Sequence, residues 1–406
     1  MASQHEQLPR TVALIEQGIA DGTQIGAQIY VSRDGRVVTD VGIGESRPGV
    51  AMTAGSMLAW FSSTKAVSSV ALAQVWERGA LDLDDPVTRF IPEFGAGGKE
   101  GITVRHLLTH TGGFRDADGG ATGRMGYPLP SWDEIITRIC AARIEPGWVP
   151  GKKAGYHPSS SYYVLGEIVR RLDGRPFDRY VREAIFEPLR MTDCWIGMPP
   201  ERFRAYGERI GLMQNTEGPQ PQPADIVDQA DFVAQPMPAG NGRGPIRELG
   251  RFYEMMLARG IGGGSPGRRG LGNRTGSPIS NTEVRILLPQ TVEAMTARQR
   301  YGMLDHTFQH VIDWGLGLIL NSNQYGAETV PYGYGRHASP RAYGHSGRQS
   351  SVGFADPAHG LVVALVFSGM PGEPRHQRRQ REVLSALYED LGLADSADAA
   401  PATRTP

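Results

Sequence analysis

The chain is poor in cysteine, in lysine, in long apolar runs and in net charge. It has 406 residues but only 2 cysteines, Cys140 and Cys194, and a formal net charge of −1. So few cysteines cannot form a disulfide framework, and we expect buried thiols in a cytoplasmic protein. The N-terminus is polar and acidic, without the basic and then apolar pattern of a signal peptide. No apolar run reaches the roughly 20 residues of a membrane-spanning helix.

The balanced charge also excludes partners that need a strong electrostatic field. No basic block is interleaved with aromatic residues, so we expect neither a nucleic acid nor a membrane as a partner. With 40% hydrophobic and 21% charged residues, the composition is typical of a globular chain with a large core or two subdomains. A small-molecule substrate fits this composition best.

Two stretches, one near each end, predict β-hairpins. IGAQIYVSRDGRVVTDVGIG (25–44) alternates apolar and polar residues around an Asp34-Gly35 turn, and SSVGFADPAHGLVVALVFSG (350–369) joins two β-rich segments. Helical patterns lie between them, as in YYVLGEIVRRLDG (162–174) and FDRYVREAIFEPL (177–189). Residues 214–246 and 260–281 are rich in Gly, Pro and polar residues and predict long surface loops.

The stretch LAWFSSTKAVSSVALAQVWERG (58–79) places Ser62 three residues before Lys65, where an apolar run begins. An isolated serine at such a place is most often a helix N-cap. Residues three apart share one helix face, however, so Lys65 would lie beside Ser62. The pair is therefore a candidate nucleophile with its base.

Lysine is rare in this chain, which makes its position informative. Of 42 basic residues only those at 65, 99, 152 and 153 are lysine, and the other 38 are arginine. Arginine does not release its proton in proteins, whereas a desolvated lysine can act as a base. Genomic base composition explains the many arginines but not the placement of Lys65. A helix N-terminus would also disfavour the protonated lysine and stabilise an oxyanion.

Two further stretches carry a family resemblance. Tyr156 lies in EPGWVPGKKAGYHPSSSYYVLGEIV (145–169), and His345 and Gly347 lie in RAYGHSGRQSSVGFADP (341–357). With Ser62-x-x-Lys65 and TVRHLLTHTGGF (103–114), the chain resembles the serine β-lactamase and penicillin-binding-protein superfamily. The resemblance is to its class C-like branch of esterases, DD-peptidases and transacylases, and it covers residues 10–392.

This resemblance implies a role for each matching residue. Ser62 would be the nucleophile, Lys65 its paired base, and Tyr156 the residue that passes the proton to the leaving group. The third motif would be HSG, with His345, Gly347 and Arg348 on the substrate side. A tetrahedral oxyanion needs preorganised donors, and the resemblance assigns these to the backbone N–H groups of Ser62 and Arg348. It implies neither a cofactor nor a metal.

The chain departs from the family pattern at two positions. Pro158 stands where the second motif often has asparagine, so Ser159 or Ser160 is a candidate replacement. His345 stands where β-lactamases have a lysine that holds the substrate carboxylate. We therefore expect weak β-lactamase activity at most, with Arg348 as a partial substitute.

The other candidates are interpreted as structural. His106 and His110 are four residues apart, but no third metal ligand is evident nearby. GIGGGSPGRRG (260–270) lacks the Gly-Lys-Ser/Thr of a phosphate loop. Several aromatic residues could line a cleft, although core packing is favoured for each of them: Trp132, Trp148, Trp314, Tyr332 and Tyr334.

Together these observations predict an α/β (α+β) protein of the β-lactamase-like type. An antiparallel sheet flanked by helices would come from residues 1–85 and 311–392, with a mostly helical insertion at 86–310 and a disordered tail at 393–406. The predicted function is a carboxylesterase or transacylase acting on a small acyl compound through a Ser62 acyl-enzyme. Alternatives are a DD-peptidase, a D-amino-acid amidase, a weak β-lactamase, or an inactive binding protein on the same fold.

Overall fold

The structure, a computed structural model, describes residues 7–115, 129–224, 227–262 and 283–394. Its strands, in chain order, are β1 Gly26–Arg33, β2 Arg36–Arg47, β3 Val50–Ala51, β4 Leu58–Phe61, β5 Trp195–Ile196, β6 Gln214–Asn215, β7 Gln222–Pro223, β8 Gly242–Gly244, β9 Ile261–Gly262, β10 Val284–Arg285, β11 Leu304–Asp305, β12 His310–Val311, β13 Ile319–Leu320, β14 Tyr343–Ser346, β15 Ser351–Asp356, β16 Leu361–Phe367 and β17 Gly369–Met370. Its α-helices are α1 Pro9–Ala20, α2 Thr64–Glu77, α3 Val104–Leu108, α4 Trp132–Ala141, α5 Ser160–Asp173, α6 Phe177–Val181, α7 Pro200–Tyr206, α8 Ala230–Val233, α9 Ile246–Leu257, α10 Pro289–Thr296 and α11 Glu373–Asp390.

A seven-stranded antiparallel sheet forms the centre, in the order β13-β14-β15-β16-β1-β2-β3. Both predicted hairpins are confirmed, as β1–β2 and β15–β16. Asp34 and Gly35 turn the first one at φ values of 51° and 74°, the positive region that such tight turns require. β1 also pairs with β16, so the two ends of the chain share one sheet. The predicted fold class is correct.

Both faces of the sheet are buried, which explains the unbroken apolar run in β16. Because side chains alternate along a strand, Val363, Leu365 and Phe367 pack into one core with residues of α1 and α11. The intervening residues, Val362, Ala364 and Val366, pack into the other core with residues of α2, α5 and α9. A strand buried on both sides reads as continuous hydrophobic sequence rather than as an alternation.

Both helical patterns of the sequence form helices in the structure. The first pattern forms α5, which ends where Gly174 adopts φ 88°, and the second forms α6 with a π turn after it. α2 packs against α5, while α9 packs on β1, β15 and β16. The division at residues 86 and 310 stays a prediction, although α9 lies within that range and contacts the central sheet.

The prediction of a surface loop over 214–246 is wrong for its last six residues. Residues 241–246 are all buried, because β8 pairs with β4 and β5 in a small sheet beside the start of α2. Residues 263–281 of the second predicted loop, and residues 395–406 of the predicted tail, lie outside the described residues. In the described ranges, no helix combines the length and apolar character needed to cross a bilayer.

Candidate active site

Ser62 lies in the turn between β4 and α2. Phe61, immediately before it, has φ 47°, a left-handed conformation that is rare for a bulky residue and that re-aims the chain. The residue that directly precedes the helix is Ser63, whose side chain makes no capping hydrogen bond. An N-cap role for Ser62 is therefore not what the structure shows.

Hydrogen bonds from neighbouring segments hold this turn in place. Thr64 Oγ1 donates to the Phe61 carbonyl (2.6 Å) and accepts the Gly242 N–H of β8 (2.8 Å). Ser63 Oγ donates to the His345 carbonyl of β14 (3.1 Å). The nucleophile turn is thus fixed to two strands from distant parts of the chain.

Lys65 is fully buried in the first turn of α2, and its Nζ lies 3.2 Å from Ser62 Oγ. Nζ also donates to the carbonyls of Pro158 (2.7 Å) and Ala239 (2.8 Å). A neutral amine has two N–H bonds and one lone pair. In the neutral form, with both N–H groups on the carbonyls, the lone pair would face the serine hydroxyl, which is the arrangement that a general base needs.

The backbone of Tyr156 is held by a buried ion pair that the sequence analysis missed. Asp305 Oδ1 accepts the Tyr156 N–H (3.0 Å), while Asp305 Oδ2 accepts Arg300 Nη2 (3.0 Å). Thr307 Oγ1 donates to the Tyr156 carbonyl (2.9 Å). The Tyr156 ring lies 5.0 Å from Lys65 Nζ and packs against Phe308. The ion pair itself is local, but no sequence pattern links Asp305 to the Tyr156 amide, which is 149 residues away in the chain.

Where the second motif often has asparagine, this chain provides a main-chain carbonyl instead. The Pro158 carbonyl accepts from Lys65 Nζ, so a polar contact at this position comes from the main chain. Ser159 lines the cavity described below, and Ser160 Oγ lies 2.9 Å from His157 Nδ1. Which serine acts on substrate stays a prediction.

His345 is buried in β14 and is neutral. Its Nδ1 lies 2.8 Å from the Ser346 carbonyl, which can only accept, so the proton is on Nδ1 and Nε2 is an acceptor. Nε2 has no partner among the described residues. Burial, and then the charge of Lys65, lower the pKa of His345 to about 3. This side chain therefore cannot supply the positive charge that lysine gives β-lactamases here.

Gly347 brings the third motif against the nucleophile turn. A Cβ on Gly347 would lie 2.2 Å from the Trp60 carbonyl, so only glycine allows this approach. Within the described part of the chain, the backbone N–H groups of Ser62 and Arg348 have no acceptor, and both residues line the same cavity. Their assignment to an oxyanion hole stays a prediction.

The predicted site residues meet at one cavity of about 420 Å³. Ser62, Tyr156, His345 and Arg348 line it, and Lys65 lies behind Ser62. Much of the remaining wall is apolar: Ala59, Phe61, Val227, Phe232, Met237, Ala239, Phe308 and Ile319. Several of these side chains come from the 227–241 segment, which therefore forms part of the cavity wall.

The aromatic residues interpreted as core residues do not all have the same surroundings. Tyr332 lines the cavity and donates its hydroxyl to Glu373 (2.8 Å), so core packing alone was the wrong interpretation for it. Trp314 is buried against Arg300 and His110. Across the described ranges, no cluster of three or more His, Cys, Asp or Glu side chains could hold a metal ion.

Comparisons with known proteins identify the family and the fold. The Beta-lactamase family model matches residues 12–388. Esterase EstB of Burkholderia gladioli is 28% identical over 385 residues, covering 89% of this chain and 92% of the relative. A penicillin-binding protein homologue from Caulobacter crescentus is 27% identical, with a TM-score of 0.72 over 95% of this chain and 98% of the other. A family VIII carboxylesterase, 23% identical, has the same fold, with a TM-score of 0.71 over 95% and 97% of the two chains.

Proposed function

The chain belongs to the β-lactamase family and is a serine hydrolase of that superfamily, and from this premise we propose a carboxylesterase or transacylase that forms an acyl-enzyme on Ser62. The observation that carries the proposal is the 3.2 Å approach of buried Lys65 Nζ to Ser62 Oγ, at a cavity of about 420 Å³. A nucleophile beside a desolvated amine is the arrangement that activates a serine.

The proposed reaction has two steps. Lys65 Nζ takes the proton of Ser62 Oγ as that oxygen attacks the substrate carbonyl, and the N–H groups of Ser62 and Arg348 stabilise the oxyanion. When the tetrahedral intermediate collapses, the carbon–oxygen bond to the leaving group breaks, and Tyr156 passes to it the proton that Lys65 took from Ser62. Water or an alcohol then attacks the acyl-enzyme and loses its proton to Lys65 by way of Tyr156. That proton returns to Ser62 Oγ as the bond between Ser62 and the acyl group breaks.

The substrate that fits best is an ester with an uncharged, apolar acyl group. The cavity wall is largely aliphatic and aromatic, and the buried His345 beside Ser62 is neutral at physiological pH. The cation that lines the cavity, Arg348, is at its exposed edge. A β-lactam carboxylate would therefore lack the contact that lysine makes with it in β-lactamases. This supports esters over β-lactams as substrates.

The test is intact mass spectrometry after mixing the protein with p-nitrophenyl butyrate, p-nitrobutyranilide or nitrocefin. We expect a butyryl adduct from the ester, with slower reaction of the anilide and of nitrocefin. Adding an alcohol acceptor during turnover separates acyl transfer from hydrolysis by its product. Faster acylation by nitrocefin than by the ester would contradict the proposed substrate class.

Ser62→Ala should lose the adduct and at least about 10³-fold of turnover, since the residue carries the covalent step. The matched control is Ser131→Ala. Ser131 caps α4 by accepting the Glu134 N–H, so this variant should lose about 1 kcal/mol of stability and keep full turnover. Turnover retained by Ser62→Ala would place the nucleophile elsewhere.

A cytoplasmic location belongs to the same proposal. Cys140 and Cys194 are both buried and unpaired, as expected for a protein that does not depend on an oxidising compartment. Cell fractionation under native expression tests this point.

A further inference from the structure

His110 lies directly behind Tyr156, in a conformation that needs an explanation. It is fully buried and has φ 55°, a region that histidine, asparagine and aspartate adopt more readily than other non-glycine residues. It follows α3 within the segment THTGG, outside the cavity lining. No step of the proposed reaction uses it.

Two hydrogen bonds tie His110 to the residues on either side of Tyr156. The His110 carbonyl accepts the Gly155 N–H (2.9 Å), and His110 Nδ1 accepts the His157 N–H (3.1 Å). One residue therefore fixes the backbone both before and after Tyr156. The positive φ of His110 lets its carbonyl and its side chain serve neighbouring amides at the same time.

The imidazole also fixes the ring of Tyr156. The two ring centroids are 4.7 Å apart, and Trp314 packs edge-on against His110 at 4.6 Å. Because Nδ1 accepts a backbone N–H, the proton is on Nε2. Burial, followed by the charges of His157 and Lys65, keeps the pKa of His110 well below its ordinary value, so Nδ1 remains an acceptor at neutral pH.

We propose that His110 is a positioning residue for Tyr156: it fixes the phenol relative to Lys65 and Ser62 by holding both backbone neighbours of Tyr156 and packing against its ring. The inference rests on the proposed role of Tyr156 in proton transfer. A misplacement of about 1 Å in a catalytic group costs up to about 10²-fold in rate, so a residue that never touches substrate can still control kcat.

The first test compares His110→Leu with His110→Asn, using steady-state hydrolysis of p-nitrophenyl butyrate. His110→Leu loses the acceptor and should lower kcat by about 10- to 100-fold with little change in KM. His110→Asn keeps an acceptor near the position of Nδ1 and tolerates the positive φ, so it should recover most of the loss. If His110→Leu does not fold, His110→Gln replaces it, since its carbonyl lies one carbon further and misses the His157 amide.

The matched control is His106→Leu. His106 Nδ1 also accepts a backbone N–H, from Thr103 (3.2 Å), one helical turn earlier and outside the cavity lining. We expect this variant to lose stability without losing kcat. An equal loss of kcat in His106→Leu and His110→Leu, or a failure of His110→Asn to recover activity, would overturn the inference.

A double-mutant cycle with Tyr156→Phe shows whether His110 acts through the phenol. If it does, His110→Leu should have almost no further effect on kcat in the Tyr156→Phe background. The same fold-loss in both backgrounds would reject the positioning role and leave the proposed reaction intact. Wild-type kcat in Tyr156→Phe alone would instead reject the proton-transfer role of Tyr156, and the inference with it.

Discussion

Two of the chain's rare lysines, Lys65 and Lys99, are fully buried, and each is surrounded by backbone carbonyls. Lys65 donates to the carbonyls of Pro158 and Ala239 and lies against Ser62 Oγ. Lys99 donates to the carbonyls of Ala96, Cys140 and Ala142. Burial and carbonyl contacts are thus common to both, and neither feature alone identifies a base.

The helix end at which each lysine lies makes the difference. Lys65 is in the first turn of α2, where the partial positive charge of the helix N-terminus disfavours an ammonium. Lys99 donates to the carbonyls at the C-terminal end of α4, where the helix dipole favours a cation, although burial lowers the pKa of Lys99 below its ordinary value. Lys65 also has a hydroxyl partner that can give up a proton, whereas the three carbonyls that Lys99 contacts can only accept. We infer a base at the first position and a helix C-cap at the second.

Replacing each lysine with arginine tests this comparison most directly. Lys65→Arg should lose about 10²-fold or more in acylation rate, nearly as much as Lys65→Ala, because arginine cannot take the serine proton. The measurement is single-turnover acylation by p-nitrophenyl butyrate, after circular dichroism has shown that the variants are folded.

Lys99→Arg is the matched control, since it makes the same exchange at a buried lysine without a hydroxyl partner. Its acylation rate should stay at the wild-type level even if its stability falls. Acylation by Lys65→Arg within about tenfold of wild type would exclude Lys65 as the base, since a general base contributes at least about 10²-fold.

The same contrast shows what could be predicted from the sequence. Ser62, Lys65, Tyr156 and His345 were accessible because short local patterns mark them, and the two hairpins were accessible because their turns and strand residues are contiguous. The rarity of lysine does not by itself identify a catalytic base, because it applies equally to Lys99.

The groups that complete the site could not be predicted in this way. The carbonyls of Pro158 and Ala239 belong to segments far apart in sequence. Every residue type has a main-chain carbonyl, so no residue pattern marks these two. Asp305 supports Tyr156 through a backbone amide, which leaves no side-chain pattern to recognise. The buried end of this region, 241–246, was misjudged because its glycines and proline indicate a loop, while its burial comes from pairing with β4.

A second prediction concerns stability at Lys99. Lys99→Met keeps the apolar stem but leaves the carbonyls of Ala96, Cys140 and Ala142 without their donor. We expect a loss of about 2–3 kcal/mol in the free energy of unfolding, the scale of leaving buried polar groups unpaired. Urea denaturation measures the loss, and turnover per folded molecule should not change. A drop in kcat without a drop in stability would contradict the assignment of Lys99 as a helix cap.

The last prediction uses pH to compare the surroundings of the two lysines. Burial, and then the charge of Lys65, lower the pKa of His345 to about 3, whereas an unfolded histidine titrates near 6.5. Between these values the unfolded chain binds a proton at His345 that the folded chain does not. The stability that His345 contributes is therefore complete above about pH 6.5 and is lost as the pH falls toward about 3, by up to about 1.4 kcal/mol per pH unit. His110 and His376, whose pKa values burial also lowers, act in the same direction.

The measurement is urea unfolding between about pH 5 and 6, where unfolded histidines are mostly protonated and most carboxylates are not yet titrating. His345→Asn should reduce the slope of the free energy of unfolding against pH by close to the contribution of one proton, about 1.4 kcal/mol per pH unit. Lys65→Met should raise the pKa of His345 in the folded protein and so move the lower limit of its window upward, because it removes the charge that Lys65 carries when its amine is protonated. Lys99→Met should leave that window in place, since Lys99 is not among the groups that shift His345. An equal effect of the two methionine variants would mean that burial alone governs His345, and the electrostatic contrast between the two lysine sites would then be wrong.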